Sequence, residues 1–164
     1  MSIEIRKAKQ DEAGGLAQAI HDLHGEKFDL EFGKSRFNYL IDKNFIIIAR
    51  DTETQDFIGR AMFEAIEDPR FGTGMVWGVE VWEGYKGKGI GTKILQTLIE
   101  EASKYFADYN VPLRFLYVFT RSSNHQAKAL YRKVGFREGP LLDRMFTDEQ
   151  PQEQLMIADF RNKK

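Results

Sequence analysis

"YKGKGIGTKIL", residues 85–95, is the stretch on which the reading of this chain turns. Three glycines, Gly87, Gly89 and Gly91, alternate with Lys88 and Ile90, and Lys86 stands just before them. The sequence then becomes apolar at helical spacing. Ile94, Leu98 and Ala102 recur every fourth residue, with Leu95 and Ile99 beside them. The pattern predicts a bare loop followed by a long amphipathic helix from Ile90 to about Tyr105. A helix start offers unpaired backbone N–H groups and the positive end of the helix dipole. Glycines let a bulky anion approach that backbone, because no Cβ stands in the way. The loop therefore suits a pyrophosphate, with Lys86 and Lys88 adding attraction. Taken alone, the same stretch also reads as a lysine-decorated turn that caps a helix.

Spacing argues against two common phosphate cradles. A Walker loop places Lys-Ser/Thr directly after its last glycine, whereas Gly91 is followed by Thr92 and then Lys93. A dinucleotide fingerprint runs G-x-G-x-x-G after a first strand, and here the glycines run G-x-G-x-G in mid-chain.

Outward from the loop, strands and helices follow from periodicity. Ile3 and Ile5 alternate with Glu4 and Arg6 as a first strand. Residues 11–28 read as a helix with Asp11 as its N-cap and Leu16, Ala19, Ile20 and Leu23 on one face; the pair Gly14-Gly15 weakens its start. A second short helix is expected over about 33–42. "NFIIIAR" (44–50) and "FIGRAMFEAIE" (57–67) form a hairpin across the turn "DTETQD". "MVWGVEVW" (75–82) is the strand that feeds the glycine loop. "LRFLYVFT" (113–120) is a central strand, and residues 123–136 form a short helix that stops at Gly135. Two last strands are expected near 136–146 and 154–161, joined by the polar loop "TDEQPQEQ". The fold class is therefore α/β: one layer of mixed, mostly antiparallel sheet of about seven strands, with about four helices on both faces. No repeat or linker interrupts it, so residues 1–164 read as a single domain.

Composition narrows the chemistry. With 24 Lys+Arg against 25 Asp+Glu the net charge is -1, which does not suit a general nucleic-acid binder. The absence of cysteine excludes disulfides, a thiol nucleophile and cysteine-ligated zinc. No run approaches the roughly 20 apolar residues of a membrane span. The first residues lack the layout of a signal peptide, so the cytoplasm is the expected compartment. Thirteen phenylalanines point to a well-packed core or an apolar pocket.

A second motif stands downstream. "NHQAKALYRKVGF", residues 124–136, carries Asn124, Ala127, Tyr131, Lys133, Gly135 and Phe136. Read locally, Asn124 is a helix cap, since Ser123 to Gln126 has the spacing of a capping box; Gly135 is a helix C′ glycine and Phe136 a core anchor. Tyr131 lies one turn after Ala127 and shares its face; on local grounds it could equally be a core tyrosine. Lys133 faces solvent.

Together the two motifs resemble the GNAT N-acetyltransferase superfamily. Lys86–Gly91 is similar to its coenzyme A loop, Gln/Arg-x-x-Gly-x-Gly/Ala, with Lys86 in the Gln/Arg place. Asn124–Phe136 is similar to its second block, Asn-x-x-Ala-x-x-x-Tyr-x-Lys-x-Gly-Phe. Strand order agrees over about residues 3–160. The resemblance implies an acetyl-CoA-dependent N-acetyltransferase that needs no metal. It implies that the backbone of Lys86, Gly87, Lys88, Gly89, Ile90, Gly91 and Thr92 holds the diphosphate. It places Asn124 and Ala127 beside the pantetheine arm and gives Tyr131 the role of general acid. It implies that the strand before the loop splays from its neighbour, leaving backbone groups near Val79 and Val81 to bond the pantetheine amides. Glu80, on that strand, is the candidate general base; read locally, it is a solvated strand carboxylate. Many relatives carry the base a few residues earlier, where this chain has Trp77.

Direct transfer to a primary amine is expected, because no cysteine can carry the acyl group and no Ser–His constellation is present. The acceptor is expected to be a small molecule, with a peptide N-terminus or lysine side chain as the alternative. Glu26, Phe28, Tyr39 and Arg70 are candidates for its pocket. His21 and His24 have i, i+3 spacing, but two histidines without a third ligand do not make a metal site. A catalytically idle coenzyme A sensor and a purely structural protein are the competing classes. Exposed strand edges and an aromatic-rich C-terminal region are compatible with a homodimer.

Overall fold

The computed structural model describes residues 2–146, 149 and 152–162. The chain runs β1 (Ile3–Lys7), α1 (Ala13–His24), α2 (Leu30–Lys43), β2 (Phe45–Asp51), β3 (Phe57–Ala65), β4 (Thr73–Val81), α3 (Ile90–Ala107), β5 (Phe115–Arg121), α4 (His125–Lys133), β6 (Arg137–Asp143) and β7 (Gln152–Asp159). The seven strands form one open mixed sheet in the order β1-β2-β3-β4-β5-β7-β6. Among the described residues no helix is long and apolar enough to cross a membrane.

Two compact units emerge, Met1–Glu64 with Gly78–Leu98, and Ala65–Trp77 with Ile99–Lys164. In the first unit β2 lies antiparallel between β1 and β3. Phe45 to Ala49 are all buried, so β2 is covered on both faces. Successive strand residues point to opposite faces, and β3 shows which helices cover which. Phe37 of α2 lies 5.9 Å from the guanidinium of Arg60, whereas Ile94 of α3 reaches the position a side chain on Gly59 would take. Helices thus cover both faces of this unit's sheet. Fully burying one side chain such as Phe63 or Ile94 contributes about 1.5–3 kcal/mol.

In the second unit β4 pairs parallel with β5 from Thr73↔Phe115 to Met75↔Tyr117, and β5 pairs antiparallel with β7. Leu116, Val118, Met156 and Ala158 are buried on one face. Phe115, Tyr117, Phe119, Leu155 and Ile157 alternate onto the other, where with Thr73 they line an apolar groove of about 430 Å³. β6 and β7 lose register between Glu138 and Leu141. Pro140, which has no N–H to give a ladder, lies in that gap.

Several local expectations change. Asp11 is not the cap of α1. It lies in a 3-10 turn over Gln10–Glu12, and Glu12 is the N-cap residue, without a side-chain cap bond. The carboxylate of Glu12 is instead drawn to Arg6 at 2.7 and 2.9 Å and to Arg50 at 3.0 Å. The second helix begins earlier and ends slightly later than expected, because Asp29 accepts from the Phe32 amide and caps it at Leu30. The last strand begins at Gln152 rather than 154. Of the polar loop 147–154, residues 147, 148, 150 and 151 lie outside the described residues.

Candidate active site

The glycine loop belongs to the first unit. β4 ends in a 3-10 turn over Glu83–Tyr85, and Gly87 and Gly89 follow with φ of 75° and 77°. An L side chain in that left-handed region costs roughly 1–2 kcal/mol. Nothing lies within 4 Å of the place a Cβ would take on either glycine, so the space beside the backbone is open. Lys93 N donates to Gly89 O at 3.1 Å as α3 starts. The amides of Ile90, Gly91 and Thr92 come before that bond and have no helical acceptor. Lys86 Nζ is 2.6 Å from Glu83, and Lys88 Nζ donates to the Gly84 carbonyl at 3.1 Å. Both lysines are thus tied to the turn, while the glycine backbone stays bare. This cradle of amides at the positive end of an 18-residue helix fits an anion of diphosphate size.

β4 supplies Val79, Glu80 and Val81, all partly exposed. It is not a regular strand. Gly78 has φ of 61°, and a Cβ there would overlap Met62 Cε and Arg60 Nη1. β4 runs on to Val81, well beyond Met75, where its parallel register ends. Trp82 N donates to Ile58 O at 2.8 Å and ties this end of β4 to β3.

Glu80 is not a solvated carboxylate. Its Oε1 lies 2.8 Å from His24 Nε2, and its Oε2 accepts from Arg60 Nη2 at 3.3 Å. Arg60 is a buried cation on β3, with its side chain 10% exposed. Burial pulls its pKa down, and the charge and hydrogen bond of Glu80 oppose that pull. Its Nη1 lies 3.6 Å from Met62 Sδ, and its Nε has no hydrogen-bond partner among the described residues. His24 and Arg60 were missed from the sequence as parts of this group. The available signal was Arg60 itself, a charge in the apolar run "FIGRAMF" that demands a buried partner.

His21 and His24 do not act as a pair. His21 Nδ1 donates to the Phe28 carbonyl at 2.9 Å, and His24 turns to Glu80. Among the described residues no cluster of three His, Asp or Glu could hold a metal ion. Glu26 sits in an exposed turn, the Phe28 ring stacks on Phe37 at 6.1 Å, and Tyr39 is exposed beside Arg36. Arg70 belongs to the other unit and pairs with Asp68.

The second motif lies in the second unit. Asn124 is the N-cap of α4, as its local reading has it; its side chain accepts from Ala127 N at 3.0 Å. The helix closes with Gly135 N bonded to Arg132 O and Phe136 N to Tyr131 O, at 3.1 and 3.0 Å, while Gly135 takes φ of 103°. That is a Schellman ending, with glycine at C′. Lys133 is exposed and Phe136 buried. Tyr131 is buried, with its ring 5.7 Å from Phe136, and burial pushes its phenol up to about 12.

The sequence profile described as the acetyltransferase (GNAT) family matches residues 17–136. No curated protein matches the chain in sequence. Solved structures match in fold. A ribosomal-protein alanine acetyltransferase from Vibrio fischeri is 18% identical with a TM-score of 0.79, over 100% of this chain and 96% of that one. The Salmonella typhimurium protein yncA, described as an acetyltransferase and solved with its cofactor acetyl-CoA, is 16% identical with a TM-score of 0.78, over 100% and 97%. A variant of the spermidine N-acetyltransferase from Vibrio cholerae is 15% identical with a TM-score of 0.73, over 95% and 94%.

Proposed function

The chain belongs to the GNAT acetyltransferase family, and from that premise we propose that it moves an acetyl group from acetyl-CoA directly to the primary amine of a small molecule in the cytoplasm, as a single acyltransferase domain. The observation that carries this reading is the open cradle at Gly87 and Gly89, with the amides of Ile90, Gly91 and Thr92 behind it. Those amides, with the backbone of Lys86 and Lys88, hold the diphosphate. The backbone of Val79 and Val81 bonds the pantetheine amides as an added strand would, and Asn124 and Ala127 line that arm.

Two proton problems remain for side chains. An alkylammonium must lose a proton before it can attack, because it is mostly protonated near pH 7. Glu80 belongs to the group that removes it. The departing sulfur must be stabilised, and Tyr131 does so. A phenol at about 12 keeps its proton at any physiological pH. An ordinary thiol ionises near 8.5, so full transfer from Tyr131 to the thiolate is uphill by roughly 5 kcal/mol. Tyr131 therefore acts chiefly as a hydrogen-bond donor to the sulfur as negative charge builds there.

The spermidine-acetylating neighbour supports a small amine as acceptor, and the ribosomal-protein neighbour makes a peptide N-terminus its competitor. The test is thiol release from acetyl-CoA with a panel of primary amines that includes spermidine and an alanine-initiated peptide. Turnover on a small amine supports the reading. Binding of acetyl-CoA, seen as a raised Tm, without turnover on any amine makes the chain a coenzyme A sensor. Turnover on the peptide alone reverses the choice of acceptor.

A further inference from the structure

Glu80 has both oxygens engaged, and this decides what kind of base the site contains. Its carboxylate lies against the guanidinium of Arg60, a side chain only 10% exposed, which cannot give up its charge. Glu80 Oε2 is committed to the pair, since leaving it would strand the buried cation. Its other oxygen faces His24 Nε2 at 2.8 Å. An ionised carboxylate can only accept, so Nε2 carries the hydrogen and the lone pair of neutral His24 sits on Nδ1. Nδ1 has no hydrogen-bond partner among the described residues, and the His24 side chain is 42% exposed. The only charged group described against His24 is Glu80, and Arg60 is the second charged group on Glu80. The arrangement is a base, an orienting carboxylate and a cation that fixes the carboxylate, drawn from α1, β4 and β3 of one compact unit. It has the logic of a nucleophile-activating triad with the acceptor amine as nucleophile.

We propose that His24 Nδ1 takes the proton from the acceptor's ammonium, with Glu80 as the residue that orients the ring and Arg60 as the residue that holds Glu80. The inference rests on the acetyltransfer reading and sharpens it by replacing Glu80 with His24 as base. The step balances without any further reagent. One ammonium proton passes to Nδ1, the free amine attacks the thioester carbon, the C–N bond forms and the C–S bond breaks. The second amine proton ends on the sulfur, and the proton on His24 is returned to water. The sum is an ammonium and a thioester giving an amide, a thiol and one proton. The imidazolium formed in passing is stabilised by the Glu80 carboxylate, whose charge Arg60 keeps in place.

The test compares two acceptors that differ in basicity, ethylamine and trifluoroethylamine, or the corresponding pair built on the best amine of the panel. The weakly basic partner is already neutral at the assay pH and needs no base before attack. His24→Gln is expected to cut kcat/KM for the alkylamine about 100-fold and for the fluorinated amine less than about 10-fold. Acetyl-CoA should still raise its Tm as in the unaltered protein, which establishes that the variant is folded and binds the donor. Equal losses on both amines would overturn the base role and leave His24 a structural residue. An unchanged rate on both would overturn it outright. If the unaltered protein acetylates no amine at all, the acetyltransfer reading fails first and this inference with it. Glu80→Asp, which keeps the charge but shortens the reach, should lower the alkylamine rate selectively too; a uniform loss would again count against the relay.

Discussion

Gly78 and Arg60 claim one volume: at φ of 61° a Cβ on Gly78 would overlap Arg60 Nη1. The irregular turn of β4 therefore makes room for the guanidinium that holds Glu80 at 3.3 Å. Gly78→Ala should cost both the strain of a left-handed side chain, about 1–2 kcal/mol, and the seat of Arg60. Calorimetry should show a Tm lower by several degrees, at roughly 2–4 °C per kcal/mol for a chain of this size. The amine acetylation rate should fall further than this loss of stability accounts for. A variant with unaltered Tm and rate would show that Arg60 does not need this glycine.

Tyr131→Phe removes one hydroxyl and little packing. Turnover should drop about 100-fold or more, on the scale of losing one donor to developing negative charge. The rise in Tm on adding acetyl-CoA should persist. In the unaltered protein the phenol's pKa is raised, so its proton is lost only as pH climbs towards about 12. No fall in rate from Tyr131 should therefore appear between about pH 8, where ordinary thiols begin to ionise, and about pH 11. A Phe variant as fast as the original would remove Tyr131 from the chemistry.

Two glycines should respond in opposite directions. Gly14 lies in α1 with nothing within 4 Å of a built Cβ and no positive φ. Gly14→Ala should raise stability by about 0.5–1 kcal/mol, through helix propensity and a less flexible unfolded chain. Gly89→Ala, at φ of 77°, should lower it by about 1–2 kcal/mol. It should also weaken acetyl-CoA binding, because the methyl group enters the space beside the amides. Denaturant titrations with and without acetyl-CoA check both signs.

Glu12 links pH to the stability of the first unit. Its hydrogen bonds to Arg6 hold its pKa at about 2, against the cost of burial. A carboxyl lowered on folding stabilises the native state above the unfolded value, near 4.3, and that contribution vanishes as pH falls towards 2. Glu12→Gln should therefore destabilise the protein by a few kcal/mol near pH 7. The two proteins should converge in stability at about pH 2–3. A difference that stayed constant with pH would show that the ion pairs with Arg6 and Arg50 contribute nothing to that stability.

Most of the fold was legible in the sequence, because strand and helix periods are properties of neighbouring residues. The alternation of Ile3 and Ile5, the apolar run after Asn44 and the four-residue repeat from Ile90 each mark an element that is present. Ends were less legible. Asp11 has the chemistry of a cap, yet Glu12 holds the cap position of α1, since the entering backbone selects among adjacent polar residues, whereas Asn124 caps α4 as its sequence suggests. The 3-10 turns at Gln10–Glu12 and Gly25–Lys27 carry no periodic signal at all.

By itself the sequence determined the glycine loop, its helix, the capped block ending at Gly135 and the family they mark. Each of these is a run of consecutive residues whose backbone conformation is set locally, by missing Cβ atoms and by side chains bonding amides three residues away. Only the tertiary structure decided what Glu80 does. His24, Arg60 and Glu80 are separated by 56 and 20 residues along the chain. No spacing rule connects a helix end to two strands. A buried guanidinium must find a carboxylate wherever the folded sheet provides one, and the carboxylate it found is thereby committed to holding an imidazole.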